Sequence, residues 1–184
     1  MLKKPVLASA FGAALLAACA HQAGPGPGPA PPVALPPAKP IPTPTPAPAI
    51  GPRPRGFALT FIDEGRSAKL AYGQPNTDYL ALMLQCAKGS KLVEVTDMNG
   101  STSAGALTLV SGAARSDLKA TVEPGAGAPV LLAHTPAASP ALAAFRRTGI
   151  IEVSHPGVRY GVTATAAERI AIERFFAACD RRGR

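Results

Sequence analysis

Tryptophan is absent, cysteine occurs three times, and aromatic residues make up only 5% of the 184 positions. Three cysteines are too few for a disulfide-dense miniprotein. No apolar run reaches the ~18 residues that a membrane-spanning helix needs. Negative charge is also scarce. Eleven Asp and Glu stand against nineteen Lys and Arg, a net charge of +8, and none of the eleven precedes Asp63. Glycine is plentiful but does not recur at every third position, which excludes collagen. Proline is plentiful and uneven: fourteen of its twenty-one copies fall between His21 and Arg55. The remainder has the composition of an ordinary globular domain, so a wholly disordered chain is excluded as well.

The N-terminus reads as an address. Met1-Leu2-Lys3-Lys4 is a short positive start, Val6 to Ala18 is apolar or small throughout, and Leu16-Ala17-Ala18-Cys19 closes the segment. This is the three-part layout of a secretory signal peptide, residues 1–18. Its last four residues resemble the lipobox of bacterial lipoproteins. The resemblance implies cleavage between Ala18 and Cys19, a diacylglyceryl group on Cys19, and an acyl chain such as palmitate on the new amine. Each buried CH₂ contributes about 0.8 kcal/mol, so two or three chains anchor where one would exchange. Ala20 stands where Asp often signals retention in the inner membrane of Gram-negative lipoproteins. The resemblance therefore places the protein in the cell envelope, on the outer membrane facing the periplasm.

Residues 19–55 form the lipidated N-terminus and a Pro-rich linker. Proline fixes φ and removes a backbone donor, so the linker is expected to be a solvated, PPII-like tether. Thirty-five residues from His21 to Arg55, fully extended at ~3.1 Å each, would span on the order of 100 Å. Lys39, Arg53 and Arg55 are its cations and its means of touching a partner or an envelope polymer. Residues 56–184 carry fourteen Lys and Arg against eleven Asp and Glu. That near balance, without a basic stripe interleaved with aromatics, argues against nucleic acid.

The domain, residues 56–184, reads as short strands closed by a helix. Period-two alternation puts Phe57, Leu59 and Phe61 on one face, then Ala68, Leu70 and Tyr72, then Leu80, Leu82, Leu84 and Cys86. Lys91 to Asp97 alternates less cleanly. Leu107 and Leu109 begin another strand, Leu118, Ala120 and Val122 mark a clear one, and Val130 to Ala133 is a short apolar run. Ile150 to Val153 and Arg159 to Thr163 flank Ser154-His155-Pro156-Gly157, which reads as a hairpin turn. Asp63-Glu64-Gly65, Asn99-Gly100 and Ser111-Gly112-Ala113 also read as turns. Ser139-Pro140 opens a short helix in which Arg146 and Arg147 suit the C-terminal dipole and Gly149 supplies the stop. Thr165 and Glu168 fit a capping box for a last helix, along which Ile172, Phe175, Phe176 and Cys179 share one stripe. The expected fold is mainly β: an antiparallel sandwich or partly open barrel of seven to nine short strands, with one short helix and a C-terminal helix packed on the sheet.

Lipidation of Cys19 leaves Cys86 and Cys179 as an even pair in an oxidising compartment. Each ends an apolar face that has to meet the other, so a Cys86–Cys179 disulfide is expected. The layout of Leu82-Met83-Leu84-Gln85-Cys86, Phe145-Arg146-Arg147-Thr148-Gly149 and Phe175-Phe176-Ala177-Ala178-Cys179 is similar to β-rich bacterial envelope proteins that join an early strand to a terminal helix in this way. No catalytic residue is implied by that resemblance.

Motifs for chemistry are nearly missing. Ser101-Thr102-Ser103-Ala104-Gly105 is one Gly short of a nucleophile elbow and reads as a polar turn. Gly125-Ala126-Gly127 lacks the rest of a dinucleotide fingerprint and reads as a hairpin loop. His134 and His155 have no partner at metal-ligand spacing and read as solvated turn residues. Asp63, Glu64 and Asp117 look like turn and outward strand positions rather than a glycosidase pair. The most polar and aromatic loop holds Tyr72, Gln74, Asn76, Asp78 and Tyr79, the candidate contact for a ligand or partner. No catalytic residue, metal or cofactor is expected. The expected function is a membrane-anchored lipoprotein whose non-catalytic domain binds or scaffolds an envelope protein or cell-wall polymer. The alternative is a periplasmic hydrolase or a lysozyme-type inhibitor. Lysozyme-inhibitor lipoproteins have a Ser-Gly-rich signature that Ser111-Gly112-Ala113-Ala114-Arg115-Ser116 echoes without its second Gly and its Tyr. A weakly cationic domain also suits a cationic lysozyme poorly.

Overall fold

A computed structural model of the chain describes residues 51–100, 105–125 and 127–180. The signal segment, Cys19, the linker to Ile50, the polar turn at 101–104, Ala126 and the Arg-rich end at 181–184 lie outside the described residues. The chain divides into two units, 1–45 and 46–184, and every described residue belongs to the second.

Nine strands and two helices follow in order: β1 (Ala58–Asp63), β2 (Ser67–Gly73), β3 (Leu80–Ala87), β4 (Leu92–Asp97), β5 (Gly105–Ser111), β6 (Ala114–Glu123), β7 (Val130–Pro136), α1 (Pro140–Thr148), β8 (Ile150–His155), β9 (Val158–Thr163) and α2 (Ala166–Asp180). All nine strands join one antiparallel sheet in the order β1-β2-β3-β4-β7-β6-β5-β8-β9, curled into a half-barrel. The expected mainly β, partly open barrel with two helices is therefore what forms.

Alternation explains the curl's single core. Leu59, Ala68, Leu70, Leu82, Leu84, Val93, Val95, Leu107, Leu109, Leu118, Ala133, Ile151 and Val153 are all buried. Within each strand these residues lie two apart, so they share its inner face. Register carries the pattern across strands: Leu70 faces Leu84, Leu84 faces Val95, and Val95 faces Ala133.

The helices fill the concave side, α1 against β5, β6 and β8, and α2 against β1 and β2. Leu142 and Phe145 of α1, and Ile172, Phe175 and Phe176 of α2, are essentially inaccessible. Gly149 ends α1 at φ +71°, a left-handed conformation that favours Gly, and its N–H reaches Phe145 O at 2.7 Å. Ser139 holds the N-cap position but its hydroxyl makes no cap bond. The hydroxyl of Ser116 takes the Ala141 N–H instead, at 3.1 Å. On α2 the capping box forms in both directions: Glu168 N to Thr165 Oγ1 at 3.3 Å, and Thr165 N to Glu168 Oε2 at 2.7 Å. Cys86 and Cys179 are disulfide-bonded, their Cα atoms 5.8 Å apart. This ties the far end of β3 to the last turn of α2.

One turn differs from its sequence reading. The hairpin between β8 and β9 turns only at Pro156-Gly157, and His155 is the last residue of β8. It continues the inward set Ile151, Val153, so its side chain is 1% exposed rather than solvated. The cause is register, since a two-residue turn leaves His155 paired with Val158. His134 is solvated, but it lies within β7 and points outward beside Glu94.

Candidate functional site

The half-barrel opens where the β2–β3 hairpin, the residues after β4 and the middle of β9 come together. Gly73 sets this corner. The register shifts between Tyr72 and Gly73, and a Cβ on Gly73 would stand 2.3 Å from Tyr79 O, which only Gly permits. The turn then closes on itself through Gln74 N to Tyr79 O at 2.9 Å and Tyr79 N to Thr77 Oγ1 at 3.1 Å.

That turn divides the five residues read from the sequence as one contact loop. Gln74, Asn76 and Asp78 line a depression of about 470 Å³ on the convex face, with Thr60, Lys69 and Met83. Tyr72 and Tyr79 line the mouth, a groove of about 640 Å³ shared with Phe57, Met98, Asn99 and Tyr160. The loop is thus two surfaces. Tyr72 is buried, whereas Tyr79 is 64% exposed. Phe57 bridges them edge-on, 5.2 Å from the Tyr72 ring and 5.7 Å from the Tyr79 ring.

Behind the aromatic rim the core turns polar. Tyr72, Leu82 and Asp97 occupy one rank across β2, β3 and β4. The Asp97 side chain is fully buried, and its Oδ1 accepts bonds from the Asn99 backbone N–H at 2.8 Å and Asn99 Nδ2 at 2.9 Å. Its Oδ2 lies 3.6 Å from His155 Nε2, beyond hydrogen-bond range. Tyr160 donates to Ala81 O at 3.1 Å. Burial, then the negative charge of Asp97, holds its phenol well above the ordinary tyrosine value, so it remains a donor. Tyr72 Oη, Asp97 Oδ2 and both His155 nitrogens are buried without a hydrogen-bond partner among the described residues. Arg159 on the rim is already paired with Glu152, its Nε 2.7 Å from Oε1.

The strip before β1 forms one wall of the groove through Gly51, Pro52 and Pro54. Arg53 holds it there with two bonds to the Glu168 carboxylate, one of 2.9 Å to Oε2 and a shorter one to Oε1. Its guanidinium also sits 5.7 Å from the Tyr72 ring centre. Burial opposes ionisation of Glu168. Bonds from Arg53 and from the Thr165 and Leu59 N–H groups outweigh it, and the carboxyl falls to about 2. In the sequence Glu168 reads as a cap and Arg53 as a linker cation, and no local pattern brings the two together.

Chemically, the mouth offers aromatic faces, the polar groups of Asn99 and Tyr160, and the Arg159 guanidinium already paired with Glu152. Asp117 points outward and pairs with Arg115, and Asp63 Oδ1 accepts from Gly65 N and Lys88, as turn and surface residues do. Among the described residues, no three His, Cys, Asp or Glu side chains are placed to hold a metal ion, and no helix is long and apolar enough to cross a membrane. The fold defines the class of the molecule: an antiparallel nine-stranded half-barrel closed by two helices and a strand-to-helix disulfide. Set beside family models, curated proteins and solved structures, the chain matches none.

Proposed function

We infer that this is an envelope lipoprotein, anchored through lipid on Cys19, whose half-barrel domain binds an envelope component at its mouth without catalysing a reaction. The observation that supports the binding half is the aromatic groove lined by Phe57, Tyr72, Tyr79 and Tyr160 at the open end of the half-barrel. Concave, mostly apolar sites with a few polar groups are the usual form of ligand pockets, and barrel mouths are a common place for them. The sequence supports the anchoring half: a lysine-led apolar segment ends in Leu-Ala-Ala-Cys19, followed by a Pro-rich stretch suited to hold the domain off the membrane. The outer membrane, facing the periplasm, is the proposed location.

Two measurements test the two halves separately. Cys19→Ser should move the protein from the membrane fraction to the soluble fraction and abolish palmitate labelling; unchanged attachment contradicts the anchor. Cross-linking and pull-down from envelope extracts should recover a defined component with the wild type and lose it with Tyr79→Ala. Equal recovery with both chains contradicts the mouth as the binding surface.

A further inference from the structure

The Arg53 strap occupies what is, in its own right, a binding corner. Glu168 supplies both carboxylate oxygens to the guanidinium, and its side chain is only 12% exposed. It stays fixed because it simultaneously takes the Thr165 and Leu59 N–H groups, 2.7 and 2.8 Å away. Tyr72, itself 1% exposed, presents its ring to the same cation. A forked carboxylate partner and an aromatic face are the two features that favour arginine over lysine. The occupant is unusual in one respect. Arg53 comes from a Pro-Arg-Pro sequence outside the strands and helices, and the two flanking prolines form the adjoining groove wall. Its backbone contributes little: in this strip the one turn bond is Phe57 N to Pro54 O, at 3.3 Å. The side chain of Arg53 is therefore the main tie between strap and domain.

We propose that the Glu168–Tyr72 corner is a site for a proline-flanked arginine in an extended peptide, filled in this structure by the chain's own Arg53 and open to exchange with the same element supplied in trans. PPII-like peptides suit such a site because their conformation is set before binding. The built-in strap competes as an intramolecular ligand, at an effective concentration on the order of millimolar. Removing its side chain should then expose the corner. The proposal goes beyond the mouth reading, and its test does not involve Tyr79, so either can fail alone.

The probe is the hexapeptide Gly-Pro-Arg-Pro-Arg-Gly, the sequence of residues 51–56, titrated by fluorescence anisotropy into the lipid-free full chain. Arg53→Ala should bind it at least tenfold more tightly than wild type does. The same peptide with its first arginine replaced by lysine should bind Arg53→Ala at least fivefold more weakly. If Arg53→Ala does not fold, Arg53→Lys carries the same test, because lysine keeps the charge and lacks the fork. A folded variant that ignores the peptide overturns the proposal. So does equal affinity for the arginine and lysine peptides, or binding to wild type as tight as to the variant.

Discussion

The two ends of the half-barrel are built from the same strands and differ in what their inner faces carry. At one end Ala68 faces Cys86, the disulfide joins β3 to α2, and Phe175, Phe176 and Cys179 are wholly buried. At the other end, four residues along β2 and β3, Tyr72 faces Leu82, Leu82 faces Asp97, and His155 and Tyr160 close from the opposite side. The first end is cross-linked, and Ser139 Oγ is its buried atom without a partner among the described residues. The second leaves Tyr72, Asp97 and His155 with buried polar atoms unsatisfied. Each unsatisfied buried group costs about 1–3 kcal/mol, so the second end carries the larger penalty. The difference separates a cross-linked closing end from a more polar open one.

The largest effect is expected at the closing end. Cys86→Ala removes a cross-link spanning 93 residues, worth about 4–5 kcal/mol in the chain-entropy account. Denaturant unfolding against wild type measures it, and non-reducing peptide mapping should recover Cys86 and Cys179 joined. Phe176→Ala should cost about 3–5 kcal/mol, as large-to-small core changes do.

Substitutions at the mouth should be smaller and less additive. Asp97→Ala strips two bonds from Asn99 and should cost about 1–3 kcal/mol. Asp97→Leu together with His155→Leu removes both unsatisfied groups, so the double variant should be more stable than Asp97→Ala. A double variant less stable than Asp97→Ala would break the contrast between the ends.

Glu168 gives the comparison a pH dependence. Its folded value of about 2 lies below the ordinary 4.5. The stabilisation it supplies is therefore complete above about pH 4.5 and is lost as pH falls through about 2. Glu168→Gln should remove that part of the acid profile and lower stability at neutral pH by about 1–3 kcal/mol. A wild-type profile that Glu168→Gln leaves unchanged contradicts the assignment. The smallest stability change is expected for Tyr79→Ala, within about 0.5 kcal/mol for so exposed a ring, although that substitution should abolish capture of the partner.

Most of the closing end was legible in the sequence. Leu80, Leu82, Leu84 and Cys86 alternate, Ile172 to Cys179 follow a helical stripe, and both faces end in cysteine, so the bridge follows from periodicity. The mouth was half legible. Val93-Val95-Asp97 and Ile151-Val153-His155 continue the same alternation by one more step, and that step puts an acid and an imidazole inside. Polarity at a strand end reads as a turn unless the register is known, which is why the sequence places His155 in one. The division of the Tyr72–Tyr79 loop depends on the bulge at Gly73, which no local pattern announces. The meeting of Arg53 with Glu168 spans 115 residues and depends on where the sheet's edge strand lies.

The contrast between the two ends can be put to one direct measurement. A photoreactive side chain placed at Tyr79, on the mouth, and separately at Leu92, an exposed position towards the closing end, reports what each surface touches in intact cells. Both positions are solvent-accessible, 64% and 48% exposed, so general crowding should label them alike. The account predicts one discrete adduct from Tyr79 and only diffuse background from Leu92. A discrete adduct from Leu92 alone, or the same adduct from both positions, would contradict it.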